Sequence, residues 1–146
     1  MTTPTPQTIR IYGIPMDLGQ NRRGVDMGPS AIRYAELQKR LESLACAVED
    51  WGNISAPVME EVEDENALEG VAHNLATVGQ VCRAIYEAGL EANTSDVIPI
   101  FLGGDHSISI GSIASRLDAQ PNLGVIWVDA HGDFNTPLTT PSGNIH

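Results

Sequence analysis

Long hydrophobic runs are missing from this 146-residue sequence, and no stretch is apolar over the roughly 20 residues that a bilayer-spanning helix needs. The opening MTTPTPQ carries neither a basic nor an apolar stretch, so it does not read as a secretory leader. Residues 1–7 are expected to be a flexible tail. Cysteine is scarce as well. Cys46 and Cys82 are the two in the chain, and their separation is not a metal-ligand spacing. They are expected to be reduced, buried, small hydrophobes. Basic residues are few: 8 Lys and Arg stand against 19 Asp and Glu, a net charge of −11. That balance leaves no basic face for a nucleic acid or an anionic membrane. The run Glu60, Glu61, Glu63, Asp64, Glu65 is read as solvated surface. Repeats, low-complexity tracts and interdomain linkers are also lacking, so residues 8–146 are read as one domain. A cytoplasmic location is expected.

What is present is an alternation of apolar runs with helical periodicity, the pattern of an α/β protein with a mainly parallel sheet. TIRIYGI at 8–14 predicts a first strand, ended by Gly13 and Pro15. Residues 16–27 read as a loop in which Gly19 and Gly24 flank Arg22 and Arg23. Pro29 and Ser30 then open a helix whose Tyr34, Leu37, Leu41 and Leu44 make one buried stripe. A short second strand is expected at 46–51. A longer helix is predicted over 67–88, with Leu68, Val71, Leu75, Val78, Cys82 and Ile85 on one face and Gly89 near its end. VIPIFL (97–102) and GVIWV (124–128) read as strands covered on both faces, with a helix at 108–117 between them.

Both covered strands end in ligand-capable residues, where open α/β sheets place their sites. Gly103-Gly104-Asp105-His106-Ser107 follows the first, and Asp129-Ala130-His131-Gly132-Asp133 the second. In an extended chain, positions i, i+2 and i+4 share a face. Asp129, His131 and Asp133 would then offer two carboxylates and an imidazole to one point. Two close carboxylates repel, and a divalent cation removes that cost. An oxygen-rich donor set with a minority of imidazole favours manganese, magnesium or a similar ion over a zinc–thiolate site. A helix cap or a solvated turn is the plainer reading of the same residues. His73, mid-helix without a partner motif, reads as a surface or satisfied histidine.

In four motifs the chain resembles the ureohydrolases of the arginase family: GVDMGPSAIRYAEL (24–37), GGDHS (103–107), VDAHGDFNTP (128–137) and SGNIH (142–146). The resemblance implies a three-layer α/β/α fold with an open, mainly parallel sheet and helices on both faces, of which this chain is the first half. It implies metal-dependent hydrolysis of the guanidinium group of L-arginine to L-ornithine and urea, with two Mn2+ ions activating a shared water. His106, Asp129 and Asp133 match ligands of one ion, and Asp129 and His131 match ligands of the other, which makes Asp129 the bridging carboxylate. His146 matches a proton shuttle at the site mouth. Asp133 joins it as a catalytic residue. Asn135, Thr140 and Ser142 match the loop residues that hold the substrate α-carboxylate. The family also implies a homo-oligomer, trimer or hexamer. Another ureohydrolase substrate (agmatine or guanidinobutyrate), or a silent metal-binding fragment, are the alternatives. The family's later Asp-x-Asp ligand pair has no counterpart here, so the 146 residues alone are expected to be inactive. For the same reason 124–128 is expected to lack its neighbouring strands.

Overall fold

The computed structural model describes residues 8–62 and 72–145. Three parallel strands, β1 (Thr8–Ile14), β2 (Ala47–Asn53) and β3 (Val97–Gly103), form one sheet in the order β2-β1-β3. The central strand shows why. Its side chains alternate between faces, with Ile9 and Ile11 in one apolar cluster and Tyr12 and Ile14 in another. A strand buried on both faces must have helices on both, and it does. Leu37 and Leu41 of α2 (Leu37–Ser43) pack against Ile9, Ile11 and Leu102. Val78, Val81, Cys82 and Ile85 of α3 (Leu75–Glu91), with Ile108 of α4 (Ile108–Ala119), close the opposite face. The short α1 (Gly28–Tyr34) is tied to the end of β2 by Arg33, which donates to Asp50 at 2.7 and 2.8 Å and to Asn53 at 2.6 Å. This is the three-layer α/β arrangement expected from the sequence.

Three expectations need correction. The helix opened by Pro29 is broken: α1 ends at Tyr34, and Glu36 takes a left-handed φ of 63° before α2 begins. The break resets the helical phase, so Leu37 and Leu41 reach the core while Tyr34 and Leu44 are exposed. The long helix starts at Leu75, after a turn at His73 and Asn74, so residues 72–74 are not helical. The expected start at 67, with Leu68 and Val71, lies outside the described residues, as does the 1–7 tail. Residues 124–128 form no strand. Ile126 and Val128 are more than 90% exposed, because among the described residues β3 pairs with β1 alone and its other edge is open. Both cysteines are free; Cys82 is buried and Cys46 half-buried.

Candidate metal and substrate site

The parallel register aligns Ile14 with Gly103, bringing the carboxyl ends of β1 and β3 together. The two exits are then stitched. Gly104 N–H donates to the Ile14 carbonyl at 2.9 Å and Asp105 N–H to the Met16 carbonyl at 2.8 Å. A Cβ on Gly104 would lie 2.0 Å from the Met16 oxygen, so only glycine fits this approach. Buried Asp105 accepts hydrogen bonds from the Gly19 N–H at 2.8 Å and from the Ser107 N–H at 2.9 Å, and the Ser107 hydroxyl adds another. Asp105 is thus a buttress, and His106 is the residue the loop presents.

Across from this loop, the His106 Nδ1 lies 3.2 Å from Asp129 Oδ2 and 3.5 Å from Asp133 Oδ2. One ligand-type atom from each of the three residues falls within 4.8 Å of the others. Trp127 supports the arrangement: its ring stacks on His106 with centroids 4.8 Å apart, and its indole N–H donates to Asp133 Oδ2 at 3.2 Å.

His131 departs from the expected common face. Residues 129–133 are not an extended strand, because Asp129 Oδ1 accepts the His131 backbone N–H at 2.8 Å and Asp133 takes a φ of 49°. The turn swings the His131 side chain outward, 81% exposed, against 21% for Asp129 and 11% for Asp133. Its Nδ1 nevertheless stays 3.3 Å from Asp129 Oδ1. The two oxygens of Asp129 therefore face two different imidazoles. The His131 N–H, with His106 and the His131 ring adding to it, holds the Asp129 carboxyl below the usual carboxylate range. Two carboxylates and an imidazole converge, with a second imidazole beside the shared carboxylate. This donor set fits an oxygen-preferring divalent cation.

Asn135, Thr140 and Ser142 line one open recess of about 400 Å³, together with His131 and Asp133. Thr140 is buried, and its hydroxyl lies 3.4 Å from that of Ser142. The Asn135 side-chain oxygen accepts from the Thr139 hydroxyl at 3.4 Å. Sequence reasoning missed Asn144, which lines this recess and the adjoining one of about 560 Å³ beside His106. Its place inside SGNIH was the available signal. It also missed Asp105, although it read the GGDHS motif. His73 lies in the turn before α3, with its imidazole against Gly143 rather than on a helix face. His146 lies outside the described residues.

Fold and site together define a parallel α/β domain with an imidazole–carboxylate cluster at its strand ends, beside a polar recess. The Arginase family profile matches residues 7–146, and the chain belongs to that family. It is 48% identical to an arginase of Bacillus subtilis over 141 residues, 96% of this chain and 46% of that protein. A solved arginase of Bacillus caldovelox superposes with a TM-score of 0.85 at 46% identity, covering 95% of this chain and 46% of the other. An Entamoeba histolytica arginase solved in complex with L-ornithine gives 0.82 at 32% identity, covering 96% and 47%. The chain thus spans about half the length of these relatives.

Proposed function

We propose that this chain is the metal-site half of a manganese-dependent arginase, which hydrolyses L-arginine to L-ornithine and urea. The observation that carries the reading is the adjacency of two sets of groups. His131 and Asp133, which meet His106 and Asp129 in the cluster, line the same recess as Asn135, Thr140 and Ser142. A guanidinium and an α-carboxylate on one small molecule need such a pair of neighbours. The relatives named arginase, at 48% identity, support the same substrate.

His106, Asp129 and Asp133 would hold one divalent ion, and Asp129 with His131 a second. When bound, the ions supply concentrated positive charge that acidifies water and polarises the guanidinium. The chain's own residues do the rest. Asp129 presents one oxygen to each side of the cluster. Trp127 orients both His106 and Asp133 through stacking and a hydrogen bond. The Thr140 and Ser142 hydroxyls and the Asn135 amide donate to a carboxylate, fixing the guanidinium end toward the cluster. His146, by resemblance, exchanges protons with solvent. The complete protein is read as a cytoplasmic homo-oligomer that takes a small-molecule substrate and neither nucleic acid nor membrane; residues 8–146 belong to a single domain.

The complete gene product is expected to release urea from arginine, to lose activity on chelation and to regain it with Mn2+. It should prefer arginine over agmatine by at least about a hundredfold in kcat/KM, because polar groups built for a carboxylate are left unpaired by agmatine. Equal turnover of the two would remove the arginine-specific reading and leave a ureohydrolase of other preference. Restoration by Zn2+ but not Mn2+ would overturn the metal assignment.

A further inference from the structure

The recess loop at 140–145 is held from outside itself. Gly143 carbonyl accepts from the His73 N–H at 2.9 Å, and the Ile145 N–H donates to the Gly19 carbonyl at 2.9 Å. The Thr140 N–H donates to the Thr136 carbonyl at 3.0 Å. A further tie is a side chain: Asn21 Nδ2 donates to the Ser142 carbonyl at 2.8 Å, across 121 positions of sequence. The donors and acceptors are themselves fixed. Asn74 Nδ2 reaches the Leu18 carbonyl at 3.0 Å, locking the 72–74 turn to the loop that carries Gly19 and Asn21. The Gln20 side chain bonds both the N–H and the carbonyl of Arg22, forming a tight turn that presents Asn21. Gly143 has a φ of 79°, and a Cβ there would meet the His73 ring at 2.3 Å, so the loop has one seat.

We infer that Asn21 is a positioning residue for the substrate carboxylate, acting through Ser142. This rests on the arginase reading of the recess. The reason lies in what Ser142 does with its hydroxyl. Its Oγ accepts the Asn144 N–H at 3.3 Å and lies 3.4 Å from the Thr140 hydroxyl. An oxygen already accepting from a backbone N–H has its own O–H left to donate, and a carboxylate takes that donor. Where the O–H points depends on where the Ser142 backbone sits. Among the described residues, the Asn21 bond is the one from outside the loop that reaches Ser142 itself. Asn21 itself borders the neighbouring recess rather than the one lined by Ser142, so it acts without being a wall of the carboxylate pocket.

The test uses the complete gene product loaded with Mn2+, with Asn21→Ala and the isosteric Asn21→Asp, which accepts but cannot donate. Affinities for L-ornithine and for butane-1,4-diamine, the same chain without the carboxylate, are measured by calorimetry, and KM and kcat for arginine alongside. Both variants should weaken ornithine and raise KM by roughly three- to tenfold, the fold-change of one lost neutral hydrogen bond. Diamine affinity should be unchanged and kcat should stay within about twofold. Hydrogen exchange at the Asn144 and Ile145 amides should quicken in both variants. Equal weakening of both ligands, wild-type behaviour of Asn21→Asp, or unchanged exchange would overturn the inference. Failure of the unaltered protein to bind ornithine better than the diamine would sink the carboxylate reading instead, and faster exchange in the variants would still establish the anchor.

Discussion

The two sides of the metal cluster are built in opposite ways. On the His106 side, the loop rises from a strand paired to the central β1, and its buried aspartate takes hydrogen bonds from Gly19 in the loop after β1 and from Ser107 in its own loop. On the Asp129 and Asp133 side, the loop follows residues 124–128, which lie outside the sheet and expose Ile126 and Val128. One side is fixed by the domain's own core. The other meets the first through the ring of Trp127 on His106 and through Asp129 and Asp133 beside the His106 Nδ1. A cluster made this way has a rigid imidazole and carboxylates that follow it. Cation binding would then order the second side more than the first.

The largest expected effect separates chemistry from support. Asp129→Ala in the complete gene product should reduce urea release to background even with excess Mn2+, because the carboxylate faces both imidazoles. Substantial activity in that variant would show that the cluster is not the reacting centre. Next comes stability. Asp105→Ala should lower the unfolding free energy by about 3 kcal/mol, since it leaves buried N–H donors on Gly19 and Ser107 without a partner. Asp133→Ala, on the loosely held side, should change it by no more than about 1 kcal/mol in the absence of metal. Denaturant titration of the two variants checks the contrast, and equal losses would erase it.

The smallest effect lies away from the cluster, on the firmly paired half. The Arg33 guanidinium holds the Asp50 carboxyl below its ordinary range. A carboxyl depressed in the folded state contributes stability above its unfolded pKa and loses it as pH falls through the folded value. Thermal unfolding below about pH 4 should therefore show a steeper acid decline in the parent than in Asp50→Asn. Superimposable acid limbs would mean that the pair does not feel the fold.

Much of this was legible in sequence, and the failures have physical causes. β1 was readable because a strand covered on both faces is a compact apolar run; β3 was readable from the same pattern although it is only half-buried, with Ile98 exposed, and the α4 start follows directly from the GGDHS turn. The break at Glu36 was invisible, since glutamate is an ordinary helix former and only its neighbours' packing dictates the left-handed turn. Residues 124–128 carry a strand's composition without a strand's hydrogen bonds; composition cannot tell whether a neighbour exists, and the expectation that the neighbours would be missing came from the resemblance. At the site, the residue types and their rough adjacency were readable from DAHGD and GGDHS. The extended-strand geometry was not. The Asp129 side chain caps the backbone of His131, and Asp133 turns left-handed, so the imidazole leaves the common face. His73 was misplaced because the turn that starts α3 at Leu75 is set by a hydrogen bond to a residue 70 positions later, Gly143.

Trp127 also gives the molecule an optical reporter. The chain has two tryptophans, and Trp51 sits on the far side of the sheet order, edge-on to Tyr12 and beneath the Arg10 guanidinium. Replacing Trp51 with phenylalanine leaves, within these 146 residues, a single indole whose ring lies on one cluster residue and whose N–H is bonded to another. In these 146 residues its emission then watches the cluster, free of any label and of any need for turnover.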